Sequence, residues 1–361
     1  MTLPYARIRC HFRPILLSLA GVMLVAAFWF ASRYPQLLTK ASHVGETVPS
    51  MAFSSVVVIA TTTDSVLWRI LAATVNWLAS MRIGMSFGVL LGALLHTTLK
   101  YYPLKIGKNL YINSLKGALV GVPMGVCANC AVPTACGVTR GKGNVEVALG
   151  FLFSSPNFNP VVVAMTFAGL PFGMAVTKYV LLVLLIAVGV PWLIARLERT
   201  APITPLAIED FGTACAIERP DDECTETLGE VSRELGGEFL RNVWMLLKPT
   251  LTIMLIASLA AGVLLTVVPW ASLLSVVTPW RVALVSVLSV LMPVPIALDV
   301  MFASQLHQQG IPSGYVMLFA TTLGTYSIIP TIYLWREVSR KLAVILLGFF
   351  VVVGFVSGLV F

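Results

Sequence analysis

The sequence predicts an all-α, polytopic integral membrane protein of roughly 8–10 transmembrane helices, built as two pseudo-repeated halves with broken helices. Three observations carry this prediction. Of 361 residues, 58% are hydrophobic and 11% charged, with a mean hydropathy of +0.90. A soluble core of that length cannot bury so much apolar surface, and soluble domains average about 25% charged residues. Second, apolar runs near the ~20 residues needed to cross a bilayer recur along the chain, separated by short basic stretches. Third, several runs are interrupted by proline and polar residues where lipid cannot satisfy a freed backbone group. The formal net charge of +8 is what Lys- and Arg-rich cytoplasmic loops give, so the partners expected are the lipid bilayer and a small solute, with no nucleic acid. The six cysteines, three of them between Cys127 and Cys136, do not form the pattern of a secreted disulfide framework.

In chain order, residues 1–32 read as an N-terminal membrane anchor helix. Arg7, Arg9 and Arg13 precede the apolar run Pro14 to Ala31, which places the N-terminus in the cytoplasm. The run is long for a signal peptide, and Phe28-Trp29-Phe30 offers no small-residue cleavage site. Residues 33–116 hold membrane and interfacial helices, opening on a polar connection over 33–49. Between Val48 and Met81, one kinked helix, two half-spans and an interfacial helix all fit. Arg82 to Leu99 is a clearer span, and Gly84, Gly88 and Gly92 leave one face bare for close helix packing. Lys100, Lys105, Lys108 and Lys116, interleaved with Tyr101, Tyr102 and Tyr111, read as a membrane-surface segment.

Residues 117–197 form the first core repeat. Its centre, Gly121 to Gly137, carries Cys127, Asn129, Cys130 and Cys136 together with Pro123 and Pro133. A helix through Pro133 leaves the Asn129 carbonyl without its intrahelical partner, so a break lining a pathway is expected there. The same reasoning applies at Ser154-Ser155-Pro156-Asn157-Phe158-Asn159-Pro160. Two broken spans close in sequence point to one substrate site, with Cys127, Asn129, Cys130, Ser154, Ser155, Asn157 and Asn159 as its candidates. Pro171 to Leu197 follows as a plain apolar span.

Residues 198–248 read as an acidic, water-exposed linker, because ten of the sixteen acidic residues fall between Glu209 and Glu238. Cys215 and Cys224 within it match no zinc module. Residues 249–361 form the second core repeat. Leu251 to Trp270 and Leu273 to Val290 are ordinary spans, and Leu291 to Asp299, with Pro293 and Pro295, breaks a third. A shift of 167 residues carries Gly143 onto Gly310 and Ser154-Ser155-Pro156-Asn157 onto Thr321-Thr322-Leu323-Gly324. Thr321, Thr322 and Tyr326 thereby join the candidate passage. Arg336, Arg340 and Lys341 make a basic turn, which if cytoplasmic puts the end of the last helix, Leu342 to Phe361, outside.

The run from Cys127 through Pro133 and the Arg140-Gly141-Lys142-Gly143 turn to Ala148–Pro160 resembles the hallmark region of the predicted permeases related to organoarsenical efflux (ArsP-like). The resemblance spans roughly residues 82 to 361. Where that pattern has two cysteines one residue apart, Cys127 matches the first, Asn129 stands at the second, and Cys130 follows one step later. The resemblance implies efflux across a bacterial inner membrane and a thiophilic metalloid or organometalloid as substrate. It also implies an acid in the broken segment of the second half, which here is Asp299.

From the residues themselves, Cys127 and Cys130 lie i,i+3 and can share a helix face, with Cys136 further along. Soft thiolates select soft metals and metalloids, so the three form the candidate metal set. Small-residue packing and redox chemistry are the other readings of the same cysteines. Asn129, Asn157 and Asn159 either contact a solute or join helices. An acid at mid-membrane costs about 2.5–3.5 kcal/mol on insertion scales, so Asp299 is either a proton-coupling group facing the interior or a helix cap. No Gly-x-x-x-x-Gly-Lys-Ser/Thr loop is present. The expected function is therefore a secondary permease without cofactor, possible as a homo-oligomer, rather than an enzyme. A membrane thiol-disulfide oxidoreductase using Cys127 and Cys130 is the alternative.

Overall fold

Whether an apolar run crosses a bilayer or stops halfway depends on where proline and polar residues fall in it, and the computed structural model of the chain contains both outcomes. It describes residues 12–42, 57–59, 61, 63–102, 107–141, 144–199 and 227–361, and among these the regular elements are all helices. Arg7, Arg9, Lys105, Gly143, Cys215, Cys224 and the acidic stretch up to residue 226 lie outside the described residues.

Helix α1 (Phe12–Phe28) passes through a π turn (Trp29–Arg33) into α2 (Tyr34–Ser42). The anchor expected to end at residue 32 thus continues to residue 42, at the cost of the polar connection expected from residue 33. Of the ambiguous region before Arg82, residues 66–81 belong to α3 (Val66–Tyr101), one 36-residue helix started by Ser65, whose side chain accepts from the Trp68 N–H, while residues 48–56 lie outside the described residues. A longer helix, α10 (Leu228–Val267), opens on a capping box between Thr227 and Glu230. Residues 228–248, expected in the acidic linker, are therefore helical. The physical reason is an i,i+4 apolar pair, Val231 and Leu235, buried against Leu17 of α1 and Leu94 of α3. The acids of that turn are matched across the interface: Glu234 pairs with Arg13 at 2.6 Å, Glu238 pairs with Lys100, and Glu238 accepts from Tyr101 Oη at 2.6 Å. These contacts put the start of α1, the end of α3 and the start of α10 at one end of the bundle.

Among the described residues, five helices are long and apolar enough to cross a membrane: Phe12–Thr39, Val66–Tyr101, Phe172–Glu198, Leu228–Val267 and Arg340–Val360. A bent pair, α6 (Val145–Asn157) and α7 (Pro160–Gly169), turns by 49° and makes a sixth if counted as one span. The rest of the expected 8–10 consists of shorter pieces: α4 (Leu110–Gly121), α5 (Ala128–Arg140), α12 (Pro279–Leu291), α13 (Leu298–Gln308), α14 (Ser313–Thr322) and α15 (Ile328–Glu337). Between them, α8 (Phe172–Leu184), a π turn and α9 (Val190–Glu198) form one span, α11 (Trp270–Leu274) is a short turn, and α16 (Arg340–Val360) closes the chain.

The glycine face of α3 seats α5. A methyl group built on Gly88 would lie 2.1 Å from the Cys130 carbonyl oxygen, and one on Gly92 would lie 2.2 Å from the Pro133 carbonyl oxygen. Backbone meets backbone there, which only glycine permits. The element starts also keep a regular offset. Pro279, Ser313 and Ile328 open their helices 169, 168 and 168 residues after Leu110, Val145 and Pro160.

Candidate functional site

Four short helices begin in the interior, and each start has a local cause. Before α5 the chain runs extended to Cys127, whose sulfur accepts from the Cys130 N–H at 3.3 Å. Pro133 does not break this helix, contrary to expectation. The break lies upstream at Val122–Cys127, where Gly125 takes a left-handed φ of 58°. At the second interruption Pro156 sits at the end of α6, and the chain breaks at Phe158–Asn159. Asn159 then caps α7 by accepting from the Val161 N–H at 3.0 Å, with Pro160 in the first turn where its missing N–H costs nothing. In the second half, Met292–Pro295 runs extended and Ala297 adopts φ 64° just before α13. Ser327 opens α15, accepting from the Ile329 N–H at 3.4 Å.

These starts are joined to one another. Asn129 Nδ2 donates to the Val294 carbonyl at 3.1 Å, and its Oδ1 accepts from Ser327 Oγ at 2.6 Å. Asn157 Oδ1 accepts from Thr325 Oγ1 at 3.3 Å, and Ser155 Oγ accepts from the Val126 N–H at 3.2 Å. Gly125 abuts Asn159, because a methyl group on it would lie 2.8 Å from Nδ2. From this centre α5 and α15 run side by side to one end of the bundle. They are linked at their starts by Asn129–Ser327 and at their ends by Arg140 and Glu337, a two-point ion pair at 2.6 and 2.8 Å. Helix α7 packs against α13.

The remaining candidates are not part of this network. Ser154 Oγ donates to the Phe151 carbonyl and lines an apolar groove of 440 Å³ with Lys116, Val122, Phe158 and Ile186. Thr321 donates back to the Met317 carbonyl of its own helix, and Thr322 shares a hydrogen bond with Ser289 at 2.8 Å. The Tyr326 ring stacks on Phe350 with centroids 4.8 Å apart.

The sulfurs do converge, but not as the sequence set them out. Cys127 Sγ and Cys130 Sγ lie 2.7 Å apart, too long for a disulfide bond of about 2.05 Å. Met81 Sδ of α3 is 3.8 Å from the first and 4.0 Å from the second. Cys136 instead packs further along α5, against Val89 and Ala93 of α3 and Leu246 of α10. Among the described residues no three of His, Cys, Asp and Glu gather to hold a metal ion, so the set of Cys127, Cys130 and Cys136 is corrected. Two i,i+3 thiols share a face, while Cys136 is six residues past Cys130 and turns away. The third sulfur at the site is a methionine supplied by the glycine-faced helix.

Asp299 is 3% exposed, and its Oδ2 meets Lys178 Nζ, fully buried in α8, at 2.8 Å. Asp299 thus faces the interior with a cation as its partner. It is not the cap of α13, since no side chain caps that helix start. Gly324 makes room for the carboxylate: a methyl group there would lie 2.5 Å from Asp299 Cγ. A lone lysine in an otherwise apolar span was the available signal, because such a charge needs a partner. Thr321 and Lys178 line a cavity of 20 Å³, about the room one water needs.

Half-helices that begin inside an apolar bundle, with a charge pair beside them, define the class: a polytopic α-helical membrane protein of the broken-helix kind. The chain belongs to the ArsP-like predicted permease family, whose model matches residues 88–361. It is similar to the UPF0718 protein YraQ of Escherichia coli (strain K12), at 27% identity over 183 residues, 48% of this chain and 46% of that relative. The chain thus spans about half the length of the curated relative it matches. No solved structure matches it.

Proposed function

We propose that the chain is a secondary permease that moves a small thiophilic solute, a metalloid or organometalloid, through the point where α5, α7, α13 and α15 begin. The observation that carries this reading is the joining of those four starts by Asn129, Asn157, Thr325 and Ser327 beside three sulfurs. Helix starts present unpaired N–H groups, which is the backbone a solute site at mid-membrane can use. The near-constant offset of element starts supports two repeated halves, 117–197 and 249–361, that move against each other around a fixed centre. Cys127, Cys130 and Met81 hold the soft atom, in place of the three-cysteine set. Asn129, Asn157 and Ser155 line the passage, with Ser154, Asn159, Thr321, Thr322 and Tyr326 in the surrounding layer.

Coupling falls to Asp299 with Lys178. A proton arriving on Asp299 neutralises it and frees Lys178, which loosens the contact between α8 and α13 and biases the two halves toward the other arrangement. Orientation follows from the basic groups: Arg13, Lys100 and Arg140 lie toward one end, with Gly141 packed on Leu99, and the positive-inside rule makes that end cytoplasmic in an inner membrane. The test is uptake into inverted vesicles carrying the full chain, under an imposed pH gradient, with trivalent phenylarsenical and antimonite as probes. Accumulation above empty vesicles, abolished by a protonophore, is expected. Equal content with and without the chain for every probe overturns the reading.

A further inference from the structure

The sulfur pair has a positively charged neighbour. Arg33 lies in the π turn between α1 and α2, is 6% exposed, and reaches toward α5. A methyl group built on Gly84 would lie 2.8 Å from Cys130 Sγ and 3.1 Å from Arg33 Nη2, so thiol and guanidinium flank the same point. One on Gly125 would lie 2.8 Å from Asn159 Nδ2 and 3.5 Å from Arg33 Cγ. Two glycines thus let Arg33, Asn159 and Cys130 pack close together where α3 meets the break before α5.

Donors gather at that point. Arg33 Nε and Asn159 Nδ2 are both buried without a hydrogen-bond partner. The contacts Arg33 does make supply no negative charge: Gln36 Oε1 at 3.4 Å, and the face of the Phe28 ring with its centroid 4.9 Å away. None of the carboxylates among the described residues pairs with it. A buried guanidinium in that condition is costly unless an anion completes it. The starts of α5 and α7, capped by Cys127 and Asn159, add the positive ends of two helix dipoles. π turns inside α-helices recur at functional sites, and here the turn is what carries Arg33 inward.

We infer that Arg33, Asn159 and the starts of α5 and α7 bind an oxyanion group, a carboxylate or its like, carried by the permeated solute while its soft atom faces Cys127 and Cys130. This rests on the proposed reading of the centre as a solute site, and it adds that the solute is an anion. Binding is through a charge-assisted fork from Arg33 and one amide donor from Asn159, a geometry that fits a planar two-oxygen group.

Two alkylating probes of similar size test it on the full chain in detergent: iodoacetate, which is an anion, and iodoacetamide, which is neutral. In each, a thiolate of Cys127 or Cys130 attacks the CH2 carbon, the C–I bond breaks, iodide leaves, and the thiol proton passes to buffer. The rate ratio at these two positions, read by peptide mass spectrometry against the denatured chain, cancels any change in thiol ionisation. Iodoacetate is expected to be favoured by about tenfold relative to the denatured chain, the factor one charge-assisted contact is worth. Arg33→Gln and Asn159→Asp should remove that preference. The second keeps the oxygen that caps Val161, but turns the donor into an acceptor and sets a negative charge beside Arg33 that takes the anion's place. Arg33→Lys, which keeps the charge, should retain part of the preference and guards against a folding defect. If both reagents label the pair at the denatured ratio, the anion pocket is overturned and the solute site stands. If neither reagent reaches the pair in the folded chain, both fall.

Discussion

Removing one charge from Lys178–Asp299 should cost far more than removing both. The two side chains are 0% and 5% exposed and 2.8 Å apart, and the carboxylate packs directly on Gly324. Asp299→Asn leaves a buried ammonium unpaired, and breaking a buried pair in this way costs about 3–5 kcal/mol. The double variant Lys178→Met, Asp299→Asn has nearly the original volume and no buried charge, so it should recover to within about 1 kcal/mol of the parent. Unfolding in mixed micelles by SDS titration measures all three. Transport separates stability from coupling: the double variant should be well folded yet insensitive to an imposed pH gradient. Two results refute the reasoning. One is a loss below about 1 kcal/mol in Asp299→Asn, which denies a desolvated pair. The other is full pH-driven transport by the double variant, which moves coupling elsewhere.

Cys127→Ser with Cys130→Ser should abolish vesicle accumulation of trivalent phenylarsenical while the chain still folds, and Met81→Leu should weaken it, because an alcohol or a hydrocarbon is a poor partner for a soft atom; undiminished accumulation in the double serine variant leaves packing as the role of the pair. Gly88→Ala and Gly92→Ala should each destabilise by about 1–3 kcal/mol or more, since the added carbon meets Cys130 or Pro133 backbone at 2.1 or 2.2 Å. Gly173→Ala, which meets nothing within 4 Å, is the neutral comparison in the same SDS titration.

Much of this architecture is legible in the residues because membrane burial makes simple demands. Apolar length identifies α3, α10 and α16, and proline clusters mark three of the four interior helix starts; the start of α15 at Ser327 has none before it. The position of a break inside a cluster is not legible in the same way. Pro133 is tolerated in α5, six residues from its start, while the interruption is carried by Gly125, whose left-handed φ a sequence does not display. The glycine stripe of α3 predicts a close neighbour but not which one; that it seats the cysteine helix, and so brings Met81 to the thiols, depends on packing between segments distant in sequence. Charge was misjudged where it was sparse. Lys178 and Arg33 look incidental in apolar runs, yet each faces the interior, because lipid leaves a charge no other place. The acids of residues 228–248 gave the opposite error: their number suggested exposure, while Val231 and Leu235 fixed a helix.

The most direct test of solute passage through the joined helix starts is accessibility at Ser327, fully buried and bonded to Asn129 at 2.6 Å. In a Ser327→Cys chain placed in sealed, oriented vesicles, a membrane-impermeant methanethiosulfonate is added to one face at a time and modification at position 327 is read by peptide mass spectrometry. Labelling from each face, with the favoured face switched by reversing the pH gradient, is the expected result. Labelling from neither face, or from one face regardless of gradient, would contradict a permeation path through this point.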